Sequence, residues 1–151
     1  MSDETHPAFR AFAAYRWAET MLLAYKEEGS APFRSVTRQT LFQDERMAGQ
    51  LRYFEVAPGG WSTLERHGHM HAVMILRGKG RCLVGAEVRE VFPHDLVSIA
   101  PWTWHQFRAD AEQPLGFLCM VDAVRDKPQL PDEADLAALN AIPAVREFLE
   151  G

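Results

Sequence analysis

The sequence predicts an all-β fold, a small β-barrel with an N-terminal helix and short C-terminal helices. Three observations carry that expectation. From Phe33 to Val121 the chain breaks into short apolar segments, about nine of them, each closed by turn residues. Residues 7 to 28 instead repeat apolar side chains at spacings of three and four. After Asp122 the composition turns polar and then helical again. These changes of rhythm divide the chain into a helix packed on the barrel (1–30), the barrel (31–122) and a C-terminal extension (123–151).

In the first segment Phe9, Ala13, Trp17, Met21 and Ala24/Tyr25 form one apolar stripe, with Thr5 or His6 as cap, Pro7 in the first turn and Gly29 at the end. Such a stripe faces a core or another subunit. The strands that follow are expected at Phe33 to Phe42, Gly49 to Val56, Trp61 to His67, His71 to Leu76, Arg81 to Val84, Glu87 to Val91, Leu96 to Ile99, His105 to Phe107 and Leu115 to Val121. Pro58-Gly59-Gly60, Gly78-Lys79-Gly80, Gly85-Ala86, Pro93-His94-Asp95 and Gln113-Pro114 punctuate them. Short strands at this spacing close economically as two facing sheets or a small barrel whose interior holds one ligand. Beyond an extended link from Arg125, Asp132 caps a helix over Glu133 to Asn140, and Pro143 opens a second through Val145, Phe148 and Leu149.

The chain has 151 residues, enough to bury one real core. No apolar run reaches the roughly 18–20 residues that span a bilayer, and Met1 to His6 is acidic and polar rather than signal-like, so a cytoplasmic protein without membrane contact is expected. The two cysteines, Cys82 and Cys119, form no Cys-x-x-Cys pattern; buried small side chains are their ordinary role. A net charge of -5 without a Lys/Arg block excludes a phosphate-backbone footprint. A small molecule, not nucleic acid, is the expected partner.

Chemistry concentrates between Glu65 and Gly78. Three of the six histidines, His67, His69 and His71, alternate there, just ahead of the apolar run from Ala72 to Leu76. Setting imidazoles beside a core-bound run is unfavourable unless each ring nitrogen finds a partner, and a metal ion is one such partner. Four donors along one strand are too spread for ligand bonds of about 2.0–2.2 Å, so a turn near Gly68 to Met70 is needed to bring His67 and His71 together, with a third donor from Glu65 or His69. A fourth comes from elsewhere: His105 opens a strand after the turn at Pro101, delivered by the buried strand before it.

These residues resemble the cupins, whose double-stranded β-helix carries two short metal-binding motifs on neighbouring strands. The resemblance covers roughly residues 45 to 122. Counting back from Gly78, His71 resembles the acid-or-histidine position of the first motif, Glu65 and His67 the usual histidine pair, and Gly60 the opening glycine. His94-Asp95 stands where cupins often have Gly-Asp, and Pro101, Thr103 and His105 resemble the second motif with Thr in place of Gly. The resemblance implies Glu65, His67, His71 and His105 as ligands of one divalent transition-metal ion (Fe, Mn, Ni, Co or Zn). His69 is then a rival of Glu65 or a reactive group beside the open coordination position. It also implies a homodimer.

The function expected is that of an enzyme on a small organic molecule, with dioxygenation placed ahead of Lewis-acid isomerisation or elimination, in which Glu65 or His69 carries the proton. The alternative is a non-catalytic ligand-binding or sensing module with a structural metal. Tyr53, Trp61, Trp102, Trp104 and Phe107 are candidates for the substrate pocket. Arg52, Arg77 and Arg81 could reach an anionic substrate, although solvated strand faces are where such charges usually sit.

Overall fold

The computed structural model of the chain describes residues 7–25 and 34–151. Three two-residue strands, β1 (Phe12–Ala13), β2 (Arg16–Trp17) and β3 (Leu23–Ala24), precede eight longer ones. Those are β4 (Arg34–Phe42), β5 (Gly49–Trp61), β6 (His71–Gly78), β7 (Gly80–Val84), β8 (Glu87–Val91), β9 (Leu96–Ile99), β10 (His105–Ala109) and β11 (Leu115–Asp122). Two helices, α1 (Glu133–Asn140) and α2 (Pro143–Glu150), close the chain.

One curled antiparallel sheet runs β8-β7-β10-β5-β11-β6-β9, with β4 on β5 and β3 on β4. Its hub is β5. The first part of that strand pairs with both β4 and β11, and its last residue, Trp61, pairs with Arg108 of β10. Pro58-Gly59-Gly60 therefore bends β5 rather than ending it. Gly59 takes the left-handed conformation (φ +73) and donates to Asp110 O at 2.8 Å, so the kink keeps a backbone partner. The strand expected over Trp61 to His67 is reduced to single bridges, Glu65 with His105 and Arg66 with Gln129.

Alternation along these strands fills the interior with Val36, Phe54, Val56, Val73, Ile75, Ile99, Phe107, Phe117 and Val121. A second cluster of Leu83, Leu139, Val145 and Phe148 fixes both helices against β7. Asp132 caps α1 as expected: its Oδ1 accepts from Asp135 N at 2.8 Å, while Asp135 Oδ2 accepts from Asp132 N at 3.0 Å. Gly78 sits at φ +75 where a Cβ would overlap the Pro114 carbonyl, so only glycine lets β6 close on β11. His94, in the turn before β9, adopts φ +78, the conformation that a glycine takes freely.

The N-terminal helix is not formed. Ala14, Tyr15 and Glu19 have φ of 50, 58 and 60, which no right-handed helix contains, and β1 pairs with β2 instead. Tertiary contacts outweigh the helical spacing. Tyr15 stacks on Tyr53 with ring centroids 6.1 Å apart, and Trp17 lies 5.1 Å from the same ring. Gln39 Nε2 donates to Tyr15 O at 2.8 Å, and its Oε1 accepts from Trp17 N at 3.3 Å. Two members of the stripe, Phe9 and Met21, are left in water at 93% and 72% exposure. The caps expected at Thr5, His6 and Gly29, and the helix end at 26–28, lie outside the described residues, as does Phe33.

Candidate metal centre

Three histidines converge from three segments. His71 opens β6, His105 opens β10, and His67 lies on the bent segment before β6, where its carbonyl accepts from Trp102 N at 2.7 Å. Their ring centroids are 4.8 to 4.9 Å apart pairwise, and one ligand atom from each lies within 4.8 Å of the other two. His67 Nδ1 is 2.7 Å from His69 O and His105 Nδ1 is 2.9 Å from Thr103 O. A carbonyl can only accept, so each Nδ1 carries its proton and each Nε2 keeps a lone pair. His71 Nδ1 stands 3.4 Å from Cys119 Sγ, while its Nε2 is buried with no hydrogen-bond partner.

Protonation is opposed here. Burial, then His105, His67 and His69, push the pKa of His71 down to about 2. Burial likewise pushes His105 down to about 4, against the opposing hydrogen bond to Thr103. Three imidazoles with inward lone pairs, His71 and His105 held neutral and the Nε2 of His71 otherwise unsatisfied, suit a divalent transition-metal ion. His67, His71 and His105 would hold it.

Glu65 and His69 stand beside this triad. Glu65 exchanges backbone hydrogen bonds with His105, N to O at 3.3 Å and O from N at 3.0 Å, and lines the same cavity, but it is outside the group of converging ligand atoms. The bend expected at Gly68 is present, and it folds His69 flat against His67 with centroids 3.7 Å apart and planes within 1°. Asp126 clamps the bend. Its Oδ2 accepts from Gly68 N at 2.7 Å, and its Oδ1 takes both His69 N at 2.9 Å and His69 Nδ1 at 2.8 Å. The Gly68 amide, then the His69 side chain, hold the Asp126 carboxyl well below the usual carboxylate range.

The triad opens on a cavity of about 550 Å³, within the range that small-molecule sites occupy. Of the five aromatic candidates only Phe107 lines it, stacked on Phe117 at 4.4 Å. Tyr53 is buried outside it under Tyr15 and Trp17, where burial first and then its hydrogen bond to Glu55 (2.8 Å) raise its pKa. Trp61 faces Arg108, Trp104 lies under Arg66 against the helix cluster, and Trp102 is 55% exposed beside Gly68. Parity explains this, since Tyr53 falls on the opposite face of β5 from Arg52 and Phe54, which do line the cavity.

Sequence reasoning left several lining residues unmarked, namely Arg38, Thr63, Arg125, Asp126 and Lys127. The two cysteines are buried as expected, but Cys119 also lines the cavity. Burial raises its pKa, with Arg52 and Arg125 opposing. Arg77 pairs with Glu55 at 2.5 Å and Arg81 lies over Phe148, both away from the cavity.

The curled sheet with its inward histidine triad makes a small barrel whose interior could hold a metal ion, and the chain belongs to the cupin superfamily, its residues 52–121 matching the cupin domain. The relative named 1-methylthio-D-xylulose 5-phosphate methylsulfurylase, from Rhodospirillum rubrum, is 64% identical over 151 residues, which covers 99% of this chain and 96% of the relative. A crystal structure of a cupin-2 domain protein from Rhodospirillum rubrum, also 64% identical, superposes with a TM-score of 0.86 over 95% of this chain and 97% of its own. A cupin 2 conserved barrel domain protein from Rhodopseudomonas palustris is 52% identical, with a TM-score of 0.87 over 93% and 98% of the two chains. No helix among the described residues is long and apolar enough to cross a membrane.

Proposed function

We propose that this protein is a metal-dependent enzyme that removes the methylthio group from a 1-methylthio ketose 5-phosphate. The observation that carries the reading is the convergence of His67, His71 and His105 in one cavity, in a chain 64% identical to the methylsulfurylase over nearly its whole length. The relative's name favours the Lewis-acid alternative over dioxygenation.

In a 1-methylthio ketose the C1–S bond lies next to the C2 carbonyl. Breaking it with the electron pair kept on C1 gives an enolate, and the sulfur passes to a nucleophile, for which a small thiol is the matching chemical class. A divalent ion held by the triad supplies Lewis acidity toward that carbonyl. The chain's own residues do the rest. Burial keeps His71 and His105 neutral, so they remain donors at neutral pH. His69, braced through Nδ1 on Asp126, takes the proton of the attacking thiol on Nε2 and delivers it to C1 as the enolate collapses to the 1-deoxy ketose. Phe107, Phe117 and Phe54 wall the cavity with apolar surface and keep bulk water from the enolate.

Incubation of the metal-loaded protein with 1-methylthio-D-xylulose 5-phosphate and a small thiol, followed by NMR, should show a new C1 methyl and a methyl disulfide of the thiol. His71→Ala and His105→Ala should lose bound metal and turnover together, whereas His69→Ala should keep metal and lose turnover by roughly a hundredfold. An unchanged substrate spectrum with fully loaded protein would overturn the reading.

A further inference from the structure

We propose that Arg38, Arg52 and Arg125 form an anion subsite that receives the phosphate of the sugar-phosphate substrate, at the β4/β5 side of the cavity, across β11 from His71. The proposal rests on the reading above for the identity of the substrate, but its geometry stands independently.

Register places these groups on one face. Arg52 is opposite Cys119 on β11, Cys119 is opposite Val73 on β6, and His71 lies two residues from Val73, so all but the apolar steps point inward together. Arg38 is opposite Phe54 on β5, two residues from Arg52, and shares that face. All three arginines line the cavity, joined at its rim by Lys127. Arg52 is only 6% exposed, Arg38 is half-buried and Arg125 stands at the mouth.

Their donors are incompletely used. Among the described residues none of the three makes an ion pair, and the Nε atoms of Arg38 and Arg52 are buried without a hydrogen-bond partner. Arg52 Nη2 reaches only Cys119 Sγ, at 3.9 Å, and its guanidinium lies 4.8 Å from the Phe54 ring centre. Arg125 Nη1 donates to Gln50 Oε1 and Asp122 O, both at 3.0 Å. Burial first, and then Arg52 and Arg38, hold the Arg125 pKa down, which marks three like charges brought near one another. Of the two carboxylates lining the cavity, Asp126 is committed to Gly68 and His69, and Glu65 sits on the segment bridged to His105. Clustered cations in a chain of net charge -5 have an electrostatic reason only if an anion joins them. Guanidinium forks match phosphate oxygens in geometry and charge.

The spacing fits. Adjacent strands are about 4.8 Å apart, so β5 lies roughly 10 Å from β6 across β11, a span that inward side chains shorten at both ends. An extended ketose separates its C2 oxygen from its C5 phosphate by roughly 6 Å.

The test is calorimetric binding of a pentulose 5-phosphate that lacks the methylthio group, beside the free pentulose and inorganic phosphate. Wild-type protein should bind the ester at least about tenfold more tightly than the free sugar, with inorganic phosphate competing. Arg52→Gln and Arg38→Gln should each weaken the ester by about tenfold or more without changing the free sugar, and Arg89→Gln, on the exposed β8, should bind as wild type. Arg125→Gln, at the mouth, repeats the measurement should an inner variant fail to fold, and circular dichroism checks each variant. Ester binding that ignores all three substitutions, or equal affinity for ester and free sugar, overturns the subsite. If the ester binds through the arginines but the methylthio compound is not converted, the reaction reading fails and the subsite stands. If conversion persists with unaltered KM in Arg38→Gln and Arg52→Gln, the subsite fails and the reaction reading stands.

Discussion

His105 shows how much of this site is a matter of solvation. The residue is 4% exposed, and burial moves its pKa from 6.5 to about 4, so the folded metal-free protein refuses a proton that the unfolded chain accepts. Because the folded pKa is the lower one, the unfolded state binds more protons between about pH 6.5 and pH 4, and stability falls as pH falls through that window. For His105 alone the loss approaches about 3 kcal/mol below pH 4, and His71, pushed lower still, adds to it with the same sign. Urea unfolding of metal-free protein at steps from about pH 7 to about pH 4 should show this slope, and a flat profile would contradict the neutral triad. The histidines were legible in the sequence because their spacing and the turn at Gly68 are local. Arg38 was not, since whether a strand arginine faces the cavity or solvent is decided by register across strands, which one-dimensional spacing does not contain.

Elements differ in how far their own sequence determines them. Asp132 and Asp135 close a cap from residues three apart, so α1 begins where local chemistry says it must. The strands from β6 to β11 likewise follow their turn residues. The N-terminal segment carries helical spacing, yet its aromatic rings have better partners in Tyr53, and the Tyr15 carbonyl and Trp17 amide in Gln39, contacts about 22 to 38 residues away in the chain. For α2 the tie to the barrel is apolar. Phe148 is fully buried among Leu83, Leu139 and Val145, so Phe148→Ala should destabilise the protein by about 3–5 kcal/mol, whereas Leu136→Ala on the exposed side of α1 should cost under about 1 kcal/mol. Equal effects of the two substitutions in urea unfolding would show that the helices are not anchored through this cluster.

At the scale of the whole molecule, one curled sheet gathers two chemistries that the chain keeps apart. The triad histidines come from segments around β6 and β10, the arginines from β4, β5 and the link after β11, and Cys119 stands between them, 3.4 Å from His71 Nδ1 and 3.9 Å from Arg52 Nη2. Arg52 also lowers the basicity of His71 directly, so the two ends are felt by each other across a single strand. A cation placed on the triad works against that positive potential, and an anion on the arginines cancels it. Linkage then makes the effect mutual: whatever factor a bound phosphate ester adds to metal affinity, bound metal must add to ester affinity. Titrating metal with and without the ester, and the ester with and without metal, should return one and the same factor above unity. The cavity would then behave as an ordered gate, in which cofactor and substrate each hold the other in place.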